Sequence, residues 1–362
     1  MAALLLKAKI YMLQNIFTSL IELHKEAFDE EPFFIEQLLK TQINESNCFF
    51  IEKNNCIATV LYALTKHMNF FGKKVKCKLF SSIATKKEYR GQGLCRANIK
   101  NALQTLNDSG VPFVFLNPFN FEFYEKLGFT TVSDVICGYN ESEYKKVGLN
   151  ISDYKKLIPV YNEFNKNKVY ITRSNSDFKF LIRKDYRKSE KYFLLIKNNK
   201  TCGCCEHCGY VIDFEDGFKE IIFPSRGVDA EGGRGGLANG KGFVKQPFGM
   251  ARICNIHSAL KNFLRKDLDY DFNIGVTDNF LDFNNVVFNI KCKNGVLTIK
   301  KIPAQKPGGI AAEKINLTAQ ELTLLLLGKK DKAFPSQSAP GRDEAEFKDI
   351  FYSFEFFMTD RY

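Results

Sequence analysis

The stretch from Lys74 to Phe129 constrains the fold of this 362-residue chain more than any other part of the sequence. It begins with an alternating apolar segment, KVKCKLFSSIAT, which is typical of a β-strand. The turn YRGQGLCR follows, and then a segment with apolar residues at helical spacing. The segments VPFVFLNP and FEFYEKLGF come next. We therefore predict the order strand, glycine-rich turn, helix, buried strand and aromatic turn.

The glycine-rich turn has the properties of a diphosphate-binding site. Gly91 and Gly93 stand where the strand passes into the helix, and glycines there let the backbone approach a ligand closely. The first N–H groups of a helix have no partner within it and lie at the positive end of its dipole. Arg90 and Arg96 add full positive charges, so a pyrophosphate suits this position. By itself, however, the turn is equally compatible with an ordinary strand-to-helix loop.

The pairing of this turn with the later segment LNPFNFEFYEKLGF resembles the GNAT superfamily of N-acetyltransferases. In that family an R/Q-x-x-G-x-G/A motif binds the pyrophosphate of acetyl-CoA. A Y-x-x-x-G-F segment carries a tyrosine close to the thioester. The chain departs from the first motif at Cys95, which adds bulk at the last small position and leaves the backbone donors intact. The resemblance implies acetyl-CoA as the acetyl donor, and we expect no metal.

Charge and composition narrow the class of protein. The formal net charge of +11 suits nucleic acid or an anionic ligand such as CoA. Because the Lys and Arg residues are scattered rather than striped, we expect no nucleic-acid partner. The eleven cysteines are an odd number and no secretory signal precedes them, which favours the cytoplasm. No segment approaches the roughly 18 apolar residues of a membrane span, so we expect no membrane partner.

The order of segments predicts a mixed α+β fold in three units. Residues 1–149 have the element order of a GNAT acetyltransferase domain, with a helix and a strand expected to close it. Residues 150–225 resemble the front half of a second, degenerate GNAT-like domain that is truncated and lacks a phosphate turn. Residues 226–246 are glycine-rich and are predicted to be a linker. Residues 247–362, beginning with the strand GMARICNI, resemble the sterol-carrier-protein-like fold.

The three units together resemble the enhanced intracellular survival (Eis) type of N-acetyltransferase over nearly the whole chain. The resemblance is carried, in order, by HKEAF, ATKKEYRGQGL, FYEKLGF, MARICNIHSAL and the aromatic C-terminus. It implies a homo-oligomer, with a hexamer as one option. It also implies a primary amine as the acceptor. Aminoglycosides, polyamines and lysine side chains all remain open as that amine.

The resemblance assigns roles to numbered positions. Ile83, Ala84 and Thr85 would end the strand that pairs with the pantetheine arm. Tyr124 would be the general acid, and the carboxylate of the last residue, Tyr362, the general base. The pyrophosphate would be surrounded by Arg90, Gly91, Gln92, Gly93, Leu94, Cys95 and Arg96, and the cofactor would also be lined by Phe119 and Asn120.

Three further sequence features resemble functional motifs but are interpreted without a catalytic or binding role. His24 lies on an apolar helical stripe and is interpreted as a core residue rather than a catalytic base. The segment CGCCEHC, residues 202–208, is interpreted as a cysteine-rich turn, because zinc ligands usually form two separated pairs. GGLANGKG mimics a P-loop but has Gly242 where Ser or Thr would be needed.

Two other functions are also compatible with the sequence. One is a non-catalytic protein that uses the sterol-carrier-like unit to bind an apolar ligand or to act as a scaffold. The other is a ping-pong cysteine acyltransferase, for which the four histidines offer no suitable partner.

Overall fold

The computed structural model describes residues 16–28, 32–138, 144–182, 191–197, 209–213, 219–222, 244–302, 314–333 and 344–358. The predicted first strand, the cysteine-rich segment, nearly all of the glycine-rich linker and Tyr362 lie outside the described residues. The described helices are α1 (16–28), α2 (Pro32–Gln42), α3 (Leu94–Asp108), α4 (Phe121–Glu125), α5 (Leu157–Phe164), α6 (Asn175–Leu181), α7 (Ile256–Phe263), α8 (Ala319–Leu326), α9 (Lys330–Ala333) and α10 (Glu344–Asp349).

The strands of the first half are β1 (Cys48–Lys53), β2 (Cys56–Phe70), β3 (Lys73–Thr85), β4 (Phe113–Leu116), β5 (Thr130–Gly138), β6 (Tyr144–Gly148) and β7 (Val169–Thr172). Those of the second half are β8 (Lys191–Lys197), β9 (Gly209–Asp213), β10 (Lys219–Ile222), β11 (Val244–Ile253), β12 (Tyr270–Thr277), β13 (Val286–Lys293), β14 (Val296–Ile302), β15 (Lys314–Thr318) and β16 (Phe356–Phe357). None of the described helices is long and apolar enough to cross a membrane.

The main sheet contains eight of the described strands, in the order β16-β7-β2-β3-β4-β11-β5, with β1 also paired to β2. The predicted meander of β1, β2 and β3 is confirmed. Asn54 and Asn55 both have positive φ, at 50° and 60°, as a two-residue hairpin turn requires. One side of the sheet packs on α3, and the other on α1 and α2.

The element after the aromatic turn differs from the expectation. The sequence predicted a closing helix, whereas Thr130–Gly138 forms strand β5. Its first residues are Thr130, Thr131 and Val132, and β-branched side chains favour a strand. The expected helix is therefore absent from the described part of residues 130–149.

Strand β11 lies between β4 and β5 and runs antiparallel to both. The sequence had placed its GMARICNI segment in the third unit, but its hydrogen bonds belong to the sheet of the first. Met250 packs in the apolar cluster beneath α3, and Ala251 packs in the cluster on the opposite face. A strand that is apolar on both faces suits a central position. Strand β11 therefore spans the predicted boundary at residue 247, and it pairs within the main sheet on both sides of that residue.

The C-terminal segment also joins the main sheet. β16 pairs in parallel with β7, and the ring of Phe356 stacks on Phe115 of β4 with 5.3 Å between centroids. The carbonyl of Met358 accepts a hydrogen bond of 3.1 Å from Ser133 of β5. The last described residue is thus fixed within the first unit.

The two other sheets contain four described strands each. One has the order β10-β9-β8-β6, and α5 and α6 pack against it. Its strand β6 comes from the end of the predicted first unit, whereas β7 of the predicted second unit pairs with β2 in the main sheet. The third unit has the order β14-β13-β12-β15, with β12 and β15 parallel. The predicted capping box of α8 is confirmed, since Thr318 accepts from the N–H of Glu321 at 3.1 Å. Gly328 follows the helix with φ of 79°.

A buried ion pair joins the first and third units. Arg252 of β11 is fully buried and donates to Asp278, which follows β12, and to the carbonyl of Leu127 in the aromatic turn. Gly128 has a φ of 79°, and a Cβ there would collide with the guanidinium of Arg252, so both the backbone and the packing favour glycine. Burial raises the pKa of Asp278, but the charge and hydrogen bonds of Arg252 outweigh this effect and hold that pKa below its usual value.

We predict that Asp278→Asn lowers the free energy of unfolding by about 3–5 kcal/mol, because it leaves a buried guanidinium without its counter-charge. Urea unfolding followed by circular dichroism measures the change. Asp271→Asn is the matched control, since Asp271 pairs with Lys291 in a half-exposed position, and it should cost less than about 1 kcal/mol. Equal losses in the two variants would contradict the structural role of the buried pair.

Candidate active site

Strands β3 and β4 pair over only part of their length. Lys78–Phe80 pairs with Val114–Leu116, and β4 ends there, whereas β3 continues to Thr85. On its other edge β3 remains paired with β2 up to Thr85. From Ser81 onward, β3 has no strand partner on the β4 side among the described residues. An extended ligand with amide groups can pair with such an edge.

A β-bulge lies where the two strands separate. Ser81 pairs with Tyr62 and Ala84 with Val60, so β3 has one residue more than β2 between these pairs. Ser82 has a φ of 48°, in the left-handed region. A bulge bends a strand and increases its twist. The bend therefore accompanies the separation of β3 from β4.

The side chains at the end of β3 point to both sides of the sheet. Ile83 packs with the cluster beneath α3, whereas Ala84 is buried in the cluster on the other face. Thr59 of β2 donates a hydrogen bond of 2.8 Å to the carbonyl of Ala84 and accepts one of 2.9 Å from the Thr85 hydroxyl. These contacts fix the strand end at which a ligand backbone could pair.

The predicted glycine-rich turn follows β3 after a short 3₁₀ helix, Lys87–Tyr89. Gly91 and Gly93 both have φ of 74°, a conformation that side chains disfavour. A Cβ on either glycine would meet no atom within 4 Å, so open space lies over the turn. This arrangement can accommodate a bulky ligand against the backbone.

Helix α3 begins directly after Gly93, its N-cap residue, without a side-chain cap. Leu94 is the first residue of this helix. The backbone N–H groups of residues 91–96 have no hydrogen-bond acceptor in the described part of the chain. Together with the helix dipole, these donors favour an anion. Their position next to the open space makes a pyrophosphate a suitable ligand.

Cationic side chains surround the same turn. Arg90 is exposed and donates from Nε to the carbonyl of Thr85 at 3.0 Å. Gln92 accepts a hydrogen bond of 3.1 Å from Lys53, a residue that sequence analysis did not single out. The guanidinium of Arg96 lies over the ring of Phe280, 4.6 Å from its centroid. The charges around the turn therefore complement an anion.

Cys95 and Tyr124 connect the helix start to the aromatic turn. Burial raises the pKa of Cys95 to about 11, and a hydrogen bond with Thr85 opposes this shift. Burial also raises the pKa of Tyr124 well above its usual value, and the nearby Cys95 adds to this shift. The structure thus brings Thr85, Cys95 and Tyr124 together, although they are distant in sequence.

Tyr124 lies in an aromatic environment with only 2% of its surface exposed. Its ring makes edge contacts with Phe119, Phe123 and Phe129 at centroid distances of 5.0–5.9 Å. No described residue hydrogen-bonds its hydroxyl. The hydroxyl can therefore serve as a hydrogen-bond donor to a ligand.

The remaining predicted site residues occupy different positions. Phe119 is 81% exposed at the entrance to the aromatic turn. The side chain of Asn120 caps α4 by accepting from the N–H of Phe123 at 3.0 Å, so its oxygen is already engaged. Tyr362 lies outside the described residues, and its role stays a prediction.

His24 is fully buried, as expected of a core histidine. Its Nε2 lies 2.9 Å from the hydroxyl of Tyr62, and the two rings stack. Tyr62 packs in the cluster opposite to the one that contains Tyr124. His24 therefore lies on the other face of the main sheet.

Comparisons with known proteins identify two domain families in the chain. Residues 13–132 match the acetyltransferase (GNAT) domain family, and residues 256–334 match the sterol carrier protein domain family. A search of the curated proteins finds no significant match.

Several solved structures share the fold of nearly the whole chain. A GCN5-related N-acetyltransferase from Anabaena variabilis ATCC 29413 has a TM-score of 0.65 and 16% identity, over 95% of this chain and 97% of that one. A probable N-acyltransferase of unknown function from Enterococcus faecalis V583 has a TM-score of 0.63 and 17% identity, over 87% and 88%. Eis1 from Mycobacterium abscessus has a TM-score of 0.63 and 12% identity, over 94% and 96%. At these identities the similarity establishes the fold alone.

We predict that the Cys95 thiol is alkylated slowly at pH 8, because only the thiolate reacts and its pKa is raised to about 11. The rate should rise about tenfold for each pH unit up to that value. Mass spectrometry of the Cys95 peptide after timed iodoacetamide treatment measures it, with an unstructured cysteine peptide as control. A Cys95 rate that levels off near pH 8.5, as in the control peptide, would show that the thiol is not in the buried position.

Proposed function

We propose that this chain, which carries a GNAT acetyltransferase domain at residues 13–132 and a sterol carrier protein domain at residues 256–334, is an acetyl-CoA-dependent N-acetyltransferase. The acetyl group passes from the thioester to a primary amine by direct attack. The observation that carries this proposal is the convergence of an unpaired strand edge, an uncapped helix start and a buried phenol at one site.

Each part of acetyl-CoA has a complementary element in this arrangement. The pantetheine arm pairs with the β3 edge at Ile83, Ala84 and Thr85, because its amides can replace a missing strand partner. The pyrophosphate binds the free N–H groups of the turn and of the first turn of α3, with Arg90 and Arg96 beside it. Gly91 and Gly93 leave room for this contact. The thioester then lies toward Tyr124.

Tyr124 supplies a positioned hydroxyl for the leaving group. Its raised pKa keeps the phenol protonated at neutral pH. The thiol of CoA has a pKa of about 8.5, so complete proton transfer from the phenol to the thiolate is uphill. The main contribution of the hydroxyl is a hydrogen bond that strengthens as charge develops on sulfur. Dissociation of the C–S bond is thereby assisted while the new N–C bond forms.

The carboxylate of Tyr362 is proposed as the base that removes the proton from the attacking amine. Phe356 and Phe357 are buried, and Met358 is hydrogen-bonded to Ser133 in the main sheet. Burial among aromatic side chains would raise the pKa of the Tyr362 carboxylate from about 3.5 and strengthen that carboxylate as a base.

The acceptor is proposed to be a cationic amine, with aminoglycosides, polyamines and lysine side chains as its candidate classes. A cytoplasmic location is part of the proposal. The six cysteines whose side chains the structure describes are free thiols, which agrees with a reducing compartment. Assembly as a homo-oligomer is proposed from the resemblance alone.

We predict that Tyr124→Phe lowers kcat by about a hundredfold or more, because the hydrogen bond to the leaving sulfur is lost. A thiol-release assay measures turnover, and isothermal titration calorimetry should show nearly unchanged acetyl-CoA binding. Tyr352→Phe is the matched control, since this half-buried phenol packs with Phe70 and Phe71 away from the turn. Unchanged turnover of the Tyr124 variant would refute the proposed role of its hydroxyl in assisting the leaving group. A wild-type protein that gives no heat with millimolar acetyl-CoA would instead favour the non-catalytic alternative.

A short C-terminal extension should also abolish most of the activity. Adding four residues after Tyr362 converts its carboxylate into an amide, which is not a base, so we expect kcat to fall by about a hundredfold. Calorimetry should show that acetyl-CoA still binds, and the same four residues added at the N-terminus serve as control. Turnover at the wild-type rate in the C-terminally extended protein would exclude the carboxylate as the base.

A further inference from the structure

We infer that Phe280 of the third unit is a positioning residue for Arg96, so that the sterol-carrier-like unit completes the cofactor site of the acetyltransferase domain. This inference rests on the proposed function, because it requires acetyl-CoA as the ligand. Neither residue type nor spacing in the sequence connects these two positions.

Phe280 belongs to the segment between β12 and β13, residues 278–285, which we call the docking loop. Asp278 fixes its shape by accepting from the N–H groups of Phe280 and Leu281 at 2.9 and 3.0 Å. The side chain of Asn285 accepts from the N–H of Asp278 at 2.8 Å. The buried pair of Asp278 with Arg252 then holds the whole loop against the main sheet. The loop is therefore rigidly placed.

The docking loop contacts the helix whose start forms the candidate pyrophosphate site. Phe280 is 4% exposed and packs in the apolar cluster beneath α3. Arg96 lies over its ring at 4.6 Å, and Lys100, one turn later, pairs with Asp282 at 3.2 Å. Both contacts fall on the same part of α3. The third unit thus reaches the first turn of this helix.

The contact with the Phe280 ring leaves Arg96 able to bind an anion. A guanidinium contacts an aromatic face with its plane, whereas its five N–H donors point outward from its edge. No carboxylate pairs with Arg96 in the described part of the chain. Holding the long side chain in place beforehand reduces the entropy that ligand binding would otherwise cost. Phe280 therefore prepares Arg96 to meet a phosphate at the start of α3.

Arg252 lies over the same ring, 5.3 Å from its centroid. Its charge is balanced by Asp278, with which it forms the buried pair, so the electrostatic repulsion of Arg96 is reduced. The Arg252–Asp278 pair, which joins the first and third units, therefore also permits the guanidinium of Arg96 to lie over the ring of Phe280.

The test is a double-mutant cycle on Phe280 and Arg96, with acetyl-CoA binding measured by isothermal titration calorimetry. Phe280→Leu keeps an apolar side chain but removes the aromatic face, so we expect Kd to rise about two- to fivefold. KM for acetyl-CoA should rise by the same factor with little change in kcat. In an Arg96→Ala background, Phe280→Leu should have no further effect on Kd.

Phe283→Leu is the matched control. Phe283 lies in the docking loop and packs on the same apolar cluster, and no cation lies over its ring among the described residues. Its Kd should stay at the wild-type value. The inference is overturned if Phe280→Leu binds acetyl-CoA like the wild type, or if it weakens binding equally with and without Arg96. The first measurement of the cycle is the titration of the wild-type protein with acetyl-CoA. If the wild-type protein does not bind acetyl-CoA, the proposed function itself is overturned.

Discussion

The separation of β3 from β4 is the constraint on which the rest of the site depends. Backbone N–H and C=O groups inside a sheet require partners. β3 loses its partner on one side after Phe80 while β2 still holds the other side as far as Thr85. A hairpin or a third strand could have filled this gap, but the chain instead turns away at Gly91 and Gly93. The end of the unpaired strand edge and the start of the helix lie close together, since the side chains of Thr85 and Cys95 are hydrogen-bonded.

This opening persists because distant parts of the chain hold β4 in place. β4 has only four residues, and it is paired on both sides, with β3 and with β11. The aromatic tail adds a further contact, since Phe356 stacks on Phe115 of β4. Arg252 of β11 in turn connects the aromatic turn to Asp278 of the third unit. The acetyltransferase domain is therefore completed by segments from the C-terminal third of the chain.

Local patterns in the sequence predicted the elements well. The positive φ angles at Gly91, Gly93, Asn54 and Asn55 follow from residue types that tolerate them. The buried face of α3, with Ile99, Ala102 and Leu106, follows from helical spacing. The cap of α8 follows from a Thr and a Glu three residues apart.

The sequence could not reveal the long-range pairings. An apolar pattern identifies β11 as a strand but does not specify its neighbours, so its place between β4 and β5 was missed. The contact of Arg96 with the ring of Phe280 joins residues 184 positions apart, and no local signal in the sequence connects them. The resemblance placed Cys95 at the pyrophosphate and Tyr124 at the thioester, so it did not predict that the two side chains lie close together.

The most direct measurement is a crystal structure of the protein with coenzyme A. The pyrophosphate should lie on the N–H groups of residues 91–96, and the sulfur should lie within hydrogen-bonding distance of the Tyr124 hydroxyl. Electron density for the coenzyme elsewhere, or a Tyr124 hydroxyl that points away from the sulfur, would contradict the proposed binding mode.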